Sequence, residues 1–116
     1  MIELRELTCE VCRTGAPQAT EKEITDFMPQ VPDWQIVEEE GEKQLVRAYK
    51  FKNFREALTF TDQVGEIAEE AGHHPAILTE WGRVTVRWWT HKIGGLHKND
   101  FVMAAKTDLL VKQSCL

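Results

Sequence analysis

The chain has 116 residues, 42% hydrophobic and 28% charged, with a formal net charge of -5. That length suits one domain with one modest core, and that balance belongs to a folded globular protein rather than a disordered one. An acidic sum with Lys and Arg scattered among acids lacks the basic stripe that holds nucleic-acid phosphates, so no nucleic-acid partner is expected.

Residues 1–19 read as an irregular arm. Their opening, Met1-Ile-Glu-Leu-Arg-Glu, lacks the apolar stretch of a secretory signal. The arm carries Cys9-x2-Cys12, and only Cys115 adds to it. An odd, sparse set argues against a disulfide framework, and no second Cys or His pair lies near enough to complete a zinc site. No apolar run anywhere approaches the roughly 20 residues of a membrane span. A reduced cytoplasmic protein is the expectation.

Thr20 and Glu23 have capping-box spacing, which predicts a short helix to about Met28, closed by Pro29 and Pro32. Residues 34–39 read as a strand, Gly41 as a turn, and 44–52 as the hairpin partner. Leu45, Tyr49 and Phe51 share a face there, interrupted by Arg47, and Glu38-Glu39-Glu40 is a solvated hairpin end. Asn53 is a good N-cap for a long helix over 54–71, with an expected buried stripe of Phe54, Leu58, Thr61, Val64, Ile67, Ala68 and Ala71. Gly72 supplies a left-handed C-cap, and Pro75 disfavours helical geometry at His74.

A second hairpin follows over 76–81 and 83–91 around Gly82. Val84, Val86 and Trp88 alternate on one face, with Arg83, Thr85, Arg87, Trp89 and His91 on the other. Gly94-Gly95 breaks the strand. A last helix runs from Lys98 or Asn99 to about Lys112, burying Phe101, Ala104, Ala105 and Leu109. The order α-β-β-α-β-β-α predicts an α+β domain over 20–116, two-layered, with a four-stranded antiparallel sheet and helices packed on one face. Its two sheet edges must be covered or paired, and pairing with another copy is a natural solution.

All four histidines, His73, His74, His91 and His97, fall within 25 positions. Histidine exchanges protons near neutral pH, its ordinary pKa being about 6.5. His73 follows a helix C-terminus, and Glu69 lies one turn earlier, so the Glu69 carboxylate is expected to orient the His73 imidazole. Zinc enzymes place two histidines at i and i+4 on a helix, whereas His73 and His74 are adjacent and precede Pro75, so no metal is expected. Trp34, Trp81, Trp88 and Trp89 lack a basic groove around them and read as packing rather than base-stacking residues.

The full arrangement is Glu69-x3-His73-His74-Pro75-x5-Trp81-x9-His91-x8-Asp100, with Val84-Thr-Val, Trp88-Trp-Thr-His91 and Gly94-Gly-Leu96 inside it. Over roughly 34–108 this resembles the pterin-4a-carbinolamine dehydratase family, and the cysteine-bearing arm is similar to its bacterial branch. The resemblance implies dehydration of a 4a-hydroxytetrahydropterin to quinonoid dihydropterin, without metal or organic cofactor. It implies that His73, His74 and His91 are catalytic and that Pro75, Trp89, Thr90 and Lys92 line the pterin pocket. Glu69, Trp81 and Asp100 are supporting residues, Trp81 by packing and Asp100 by capping the last helix. A homodimer or homotetramer is implied. Two other roles are open at this point: a pterin-handling protein of molybdenum-cofactor metabolism, and a non-catalytic dimerisation or regulatory module.

Overall fold

A computed structural model describes the backbone of residues 3–7 and 17–114, with side chains described to 111. The Cys9-x2-Cys12 pair and Cys115 lie outside the described residues. The elements are α1 (Glu21–Phe27), β1 (Gln35–Glu39), β2 (Glu42–Lys50), α2 (Phe54–Ala71), β3 (Ala76–Glu80), β4 (Arg83–Trp88) and α3 (Lys98–Ser114). Short 3-10 turns occupy Leu4–Glu6, Met28–Gln30 and His91–Ile93. Both predicted caps form: Thr20 and Glu23 close a capping box on α1, and the Asn53 side chain accepts from Glu56 N at the start of α2.

The four strands make one antiparallel sheet in the order β1-β2-β4-β3, which leaves β1 and β3 as edges. Leu45 pairs with Trp88, Arg47 with Val86 and Tyr49 with Val84, so these six side chains share the face covered by the helices. Apart from Arg47, all are buried. Arg47 interrupts the apolar row without harm, because its guanidinium lies 4.3 Å over the Tyr49 ring and its Nη1 donates to Asp108 Oδ1 of α3 at 2.7 Å.

The buried stripe of α2 is Ala57, Phe60, Val64 and Ala68, which shares Val64 and Ala68 with the one read from the sequence, while Ile67 and Ala71 from that reading are half-buried against the core. Phe54 and Leu58 are exposed instead. Both stripes have helical spacing, and the aromatic one wins: Phe60 packs on Tyr49 and Phe51, with ring centroids 4.7 and 5.1 Å away. In α3 the burial is broader than a stripe. Phe101, Val102, Met103, Ala104, Ala105 and Thr107 are all buried, because the helix lies between the sheet, α2 and the Leu4–Glu6 turn. No described helix is long and apolar enough to cross a membrane.

Antiparallel pairing of Ala76 with Arg87 sets the start of β3 beside the end of β4. The segments that carry His73-His74 and Trp89-His91 therefore leave the sheet at the same end. The β3–β4 turn, with Trp81 and Gly82, lies at the other end, about 15 Å away for strands of this length.

Candidate active site

The C-terminus of α2 aims the first histidines. Gly72 adopts a left-handed φ of 67°, a conformation that strains any residue with a Cβ, and its N–H closes the last turn onto Ala68 and Glu69 carbonyls. The chain then turns out of the helix, and the next two side chains diverge.

His73 turns inward. Its ring stacks on Trp88 at 5.5 Å between centroids, and its Nε2 meets Asp100 Oδ1 at 2.6 Å. Asp100 is fully buried in the first turn of α3 and its other oxygen is satisfied twice, by Thr90 Oγ1 at 2.9 Å and by the His97 backbone N–H at 2.9 Å. A carboxylate only accepts, so the proton between them belongs to Nε2 when His73 is neutral. Nδ1 of His73 is left as the nitrogen that exchanges a proton with anything bound beside it. The His73 side chain is 12% exposed, enough for one edge of the ring to meet a ligand.

His74 turns outward. Its Nε2 meets Glu69 Oε1 at 2.6 Å, with both side chains largely exposed. The expectation that Glu69 orients His73 is thereby corrected. After the C-cap the chain has left the helical spiral, so the carboxylate one turn back faces His74, and the partner of His73 comes from α3.

His91 is reached by a different route. The strand ends at Trp88 rather than at His91, because Thr90 pairs with Gly95 instead of with β2 or β3, and His91–Ile93 curls into a 3-10 turn. His91 is exposed in that turn and lies 4.4 Å from the Trp89 ring, centroid to centroid. Lys92 is exposed beside it, and Pro75 is half-buried where β3 begins. Thr90 is 3% exposed, with its hydroxyl committed to Asp100. Trp81 is 73% exposed at the distant hairpin tip, so within one chain it does not pack against the histidines.

Among the described residues no three His, Cys, Asp or Glu side chains converge as a metal would require. The two histidines of the pair each face a carboxylate of their own. A cleft of about 510 Å3 opens elsewhere, lined in part by Arg5, Gln30, Asp33, Arg47 and Asp108, and none of the histidines borders it.

Residues 17–110 match the sequence model of the family described as Pterin 4 alpha carbinolamine dehydratase. The chain belongs to that family. Members provisionally named pterin-4-alpha-carbinolamine dehydratase include one from Syntrophotalea carbinolica, 61% identical over 97% of this chain and 100% of its own length. Another, from Nitrosococcus oceani, is 62% identical over 97% of this chain and 99% of its own length. A crystal structure of a transcriptional coactivator/pterin dehydratase from Brucella melitensis superposes with a TM-score of 0.72 at 31% identity, covering 81% of this chain and 98% of that one. As a pterin dehydratase family member the protein is a hydro-lyase, on the sheet-and-helix frame of its solved relative.

One residue at this end of the molecule escaped the sequence reading. Gln18 Nε2 donates to Ile93 O at 3.0 Å, across 75 positions. A Cβ on Gly95 would lie 2.7 Å from Gln18 Oε1, so only glycine leaves room for this contact without a shift. No local pattern signals such a pair. The Gly94-Gly95 doublet was its only trace.

Proposed function

We propose that the protein dehydrates a 4a-hydroxytetrahydropterin to the quinonoid dihydropterin in tetrahydropterin recycling, in the cytoplasm, by histidine acid/base catalysis without a metal. The C4a–O bond breaks, the departing hydroxyl leaves as water with a proton from Nδ1 of His73 in its doubly protonated form, whose Nε2–H stays on Asp100, and His91 takes a proton from the ring system. His74, steadied by Glu69, binds substrate and assists, while Pro75, Trp89 and Lys92 border the ring. The observation that carries this reading is the buried Asp100–His73 pair at the sheet end from which the His91 turn also emerges. A buried carboxylate that fixes one imidazole nitrogen and leaves the other for chemistry is the arrangement acid/base catalysis needs.

The test follows the ultraviolet change as purified protein, with chelator present, meets freshly made 4a-hydroxytetrahydropterin. Acceleration over the spontaneous rate is expected, with His73→Ala and His91→Ala each lowering kcat by about 100-fold or more. An unchanged rate overturns the reading. It would favour instead a binding role, which the name of the Brucella melitensis relative supports.

The same proposal includes self-association as a homodimer or homotetramer. β3 is an edge strand with no strand paired on its outer side among the described residues, Leu78 on it is 56% exposed, and Trp81 in the turn that follows is 73% exposed. A second β3, antiparallel across a two-fold axis, satisfies the backbone and covers both side chains. Sedimentation equilibrium is expected to show a dimer or tetramer that Leu78→Lys weakens. A monomer at micromolar concentration overturns it.

A further inference from the structure

Thr90 sits beside His91 and reaches His73 through Asp100. Its Oγ1 donates to Asp100 Oδ2 at 2.9 Å, on the carboxylate whose Oδ1 holds His73 Nε2 at 2.6 Å. Its backbone N–H donates to Gly95 O at 2.9 Å and its carbonyl accepts from Gly95 N at 3.4 Å, which closes the loop that presents His91. The same carbonyl accepts from Ile93 N at 3.3 Å. From outside, the segment before α1 straps this loop down, through Gln18 Nε2 on Ile93 O at 3.0 Å and Ala19 N on Leu96 O at 2.7 Å. Thr90 itself is 3% exposed, so it offers a ligand almost no surface.

We propose that Thr90 is a positioning residue which holds His73 and His91 in one register, through Asp100 on one side and the Gly95 bridge on the other, and is not a contact of the substrate. The physical ground is rotational. A carboxylate gripped by one oxygen can swing about its own axis, and the imidazole it holds swings with it. Asp100 is gripped by both, and the Thr90 hydroxyl supplies one of the two donors on the second oxygen. Acid/base groups lose rate steeply when displaced by fractions of an ångström, so the hydroxyl acts on the chemical step without meeting the pterin.

The kinetic arm rests on the dehydratase reading; the spectroscopic arm does not. Thr90→Val keeps the shape and removes the hydroxyl, and Thr90→Ser keeps the hydroxyl. We expect kcat to fall about 10- to 100-fold in Thr90→Val, with KM within about twofold of wild type, and to recover in Thr90→Ser. In 15N spectra of the imidazoles, His73 is expected as the single Nε2–H tautomer in wild type and Thr90→Ser, and as a tautomer mixture in Thr90→Val, where Asp100 Oδ2 keeps only the His97 N–H and the carboxylate turns partly away from Nε2. Should Thr90→Val not fold, Thr90→Ala carries the same comparison. A raised KM with unchanged kcat would make Thr90 a substrate contact and overturn the proposal, as would a single unaltered His73 tautomer in the hydroxyl-free variant. If wild type fails to accelerate dehydration, the functional reading falls while the tautomer comparison still decides the role of Thr90.

Discussion

Asp100→Asn is expected to lower kcat by about 100- to 10,000-fold while the protein stays folded, the loss that follows when the carboxylate behind a catalytic histidine becomes an amide. Asparagine has nearly the same shape and can still accept from Thr90 and the His97 N–H with its oxygen. Its amide nitrogen then faces His73 Nε2 and can only donate. That forces the imidazole into the opposite tautomer, with the proton on Nδ1 and no carboxylate to steady the charged ring. The measurement is the initial dehydration rate set beside a thermal melt of the same preparation. A rate within about threefold of wild type would remove Asp100, and with it the inward-facing assignment of His73, from the catalytic reading.

The largest effect on stability is expected at a residue that touches none of the histidines. Asp108 Oδ1 accepts from Trp34 Nε1 at 2.9 Å, from Arg47 Nη1 at 2.7 Å and from the Tyr49 hydroxyl. This one oxygen ties α3 to β2 and to the residue before β1. Asp108→Ala leaves three donors without their acceptor in a mostly buried place, and one of them is a charge. The expected cost is about 3–5 kcal/mol, a fall in Tm on the order of 10–20 °C, read from chemical and thermal unfolding. Asp108→Asn, which keeps an acceptor, should cost clearly less; equal losses would show that the hub is not held by hydrogen bonds.

Tyr49 adds a pH signature to the same hub. Burial first, then its hydrogen bond to Asp108, pushes the hydroxyl far above its ordinary value of 10.0. In the unfolded chain this tyrosine releases its proton near pH 10, while the folded chain keeps it. The stabilisation is therefore complete below pH 10 and is lost as pH rises above it, by about 1.4 kcal/mol per pH unit from this group. Tyr49 is the only tyrosine, so urea unfolding at pH 9 and pH 11 should show a steeper loss in wild type than in Tyr49→Phe. Parallel losses would contradict it.

What could be read from the sequence and what could not divide along a physical line. The caps at Thr20, Asn53 and Gly72, the two hairpins and the bounds of α2 all rest on residues close together in the chain, and each stands in the structure. Errors begin where two patterns of equal period compete. On α2, Phe54 and Leu58 satisfied the helical spacing as well as Ala57 and Phe60 did, and only contacts with β2 decide between them. The site repeats this lesson. Clustering of the histidines was visible, but the pairing of carboxylates was not: Glu69 was set against His73 by counting along a helix that stops at Gly72. Asp100, 27 positions away, could be expected at the last helix but not against that imidazole. Arg47, which interrupts the apolar row of β2, likewise carries no local sign of its partner Asp108, 61 positions distant.

Leu4 has a consequence for anyone who cuts this chain. It is wholly buried, its N–H is held by Gln30 Oε1 at 2.8 Å, and its short turn lies along α3. Yet it precedes the stretch that matches the family's sequence model, which starts at residue 17. A fragment trimmed to that stretch would keep every histidine and still lack a plug of the hydrophobic interior. Weak or aggregating behaviour of such a fragment would then speak of a missing leucine and not of the enzyme.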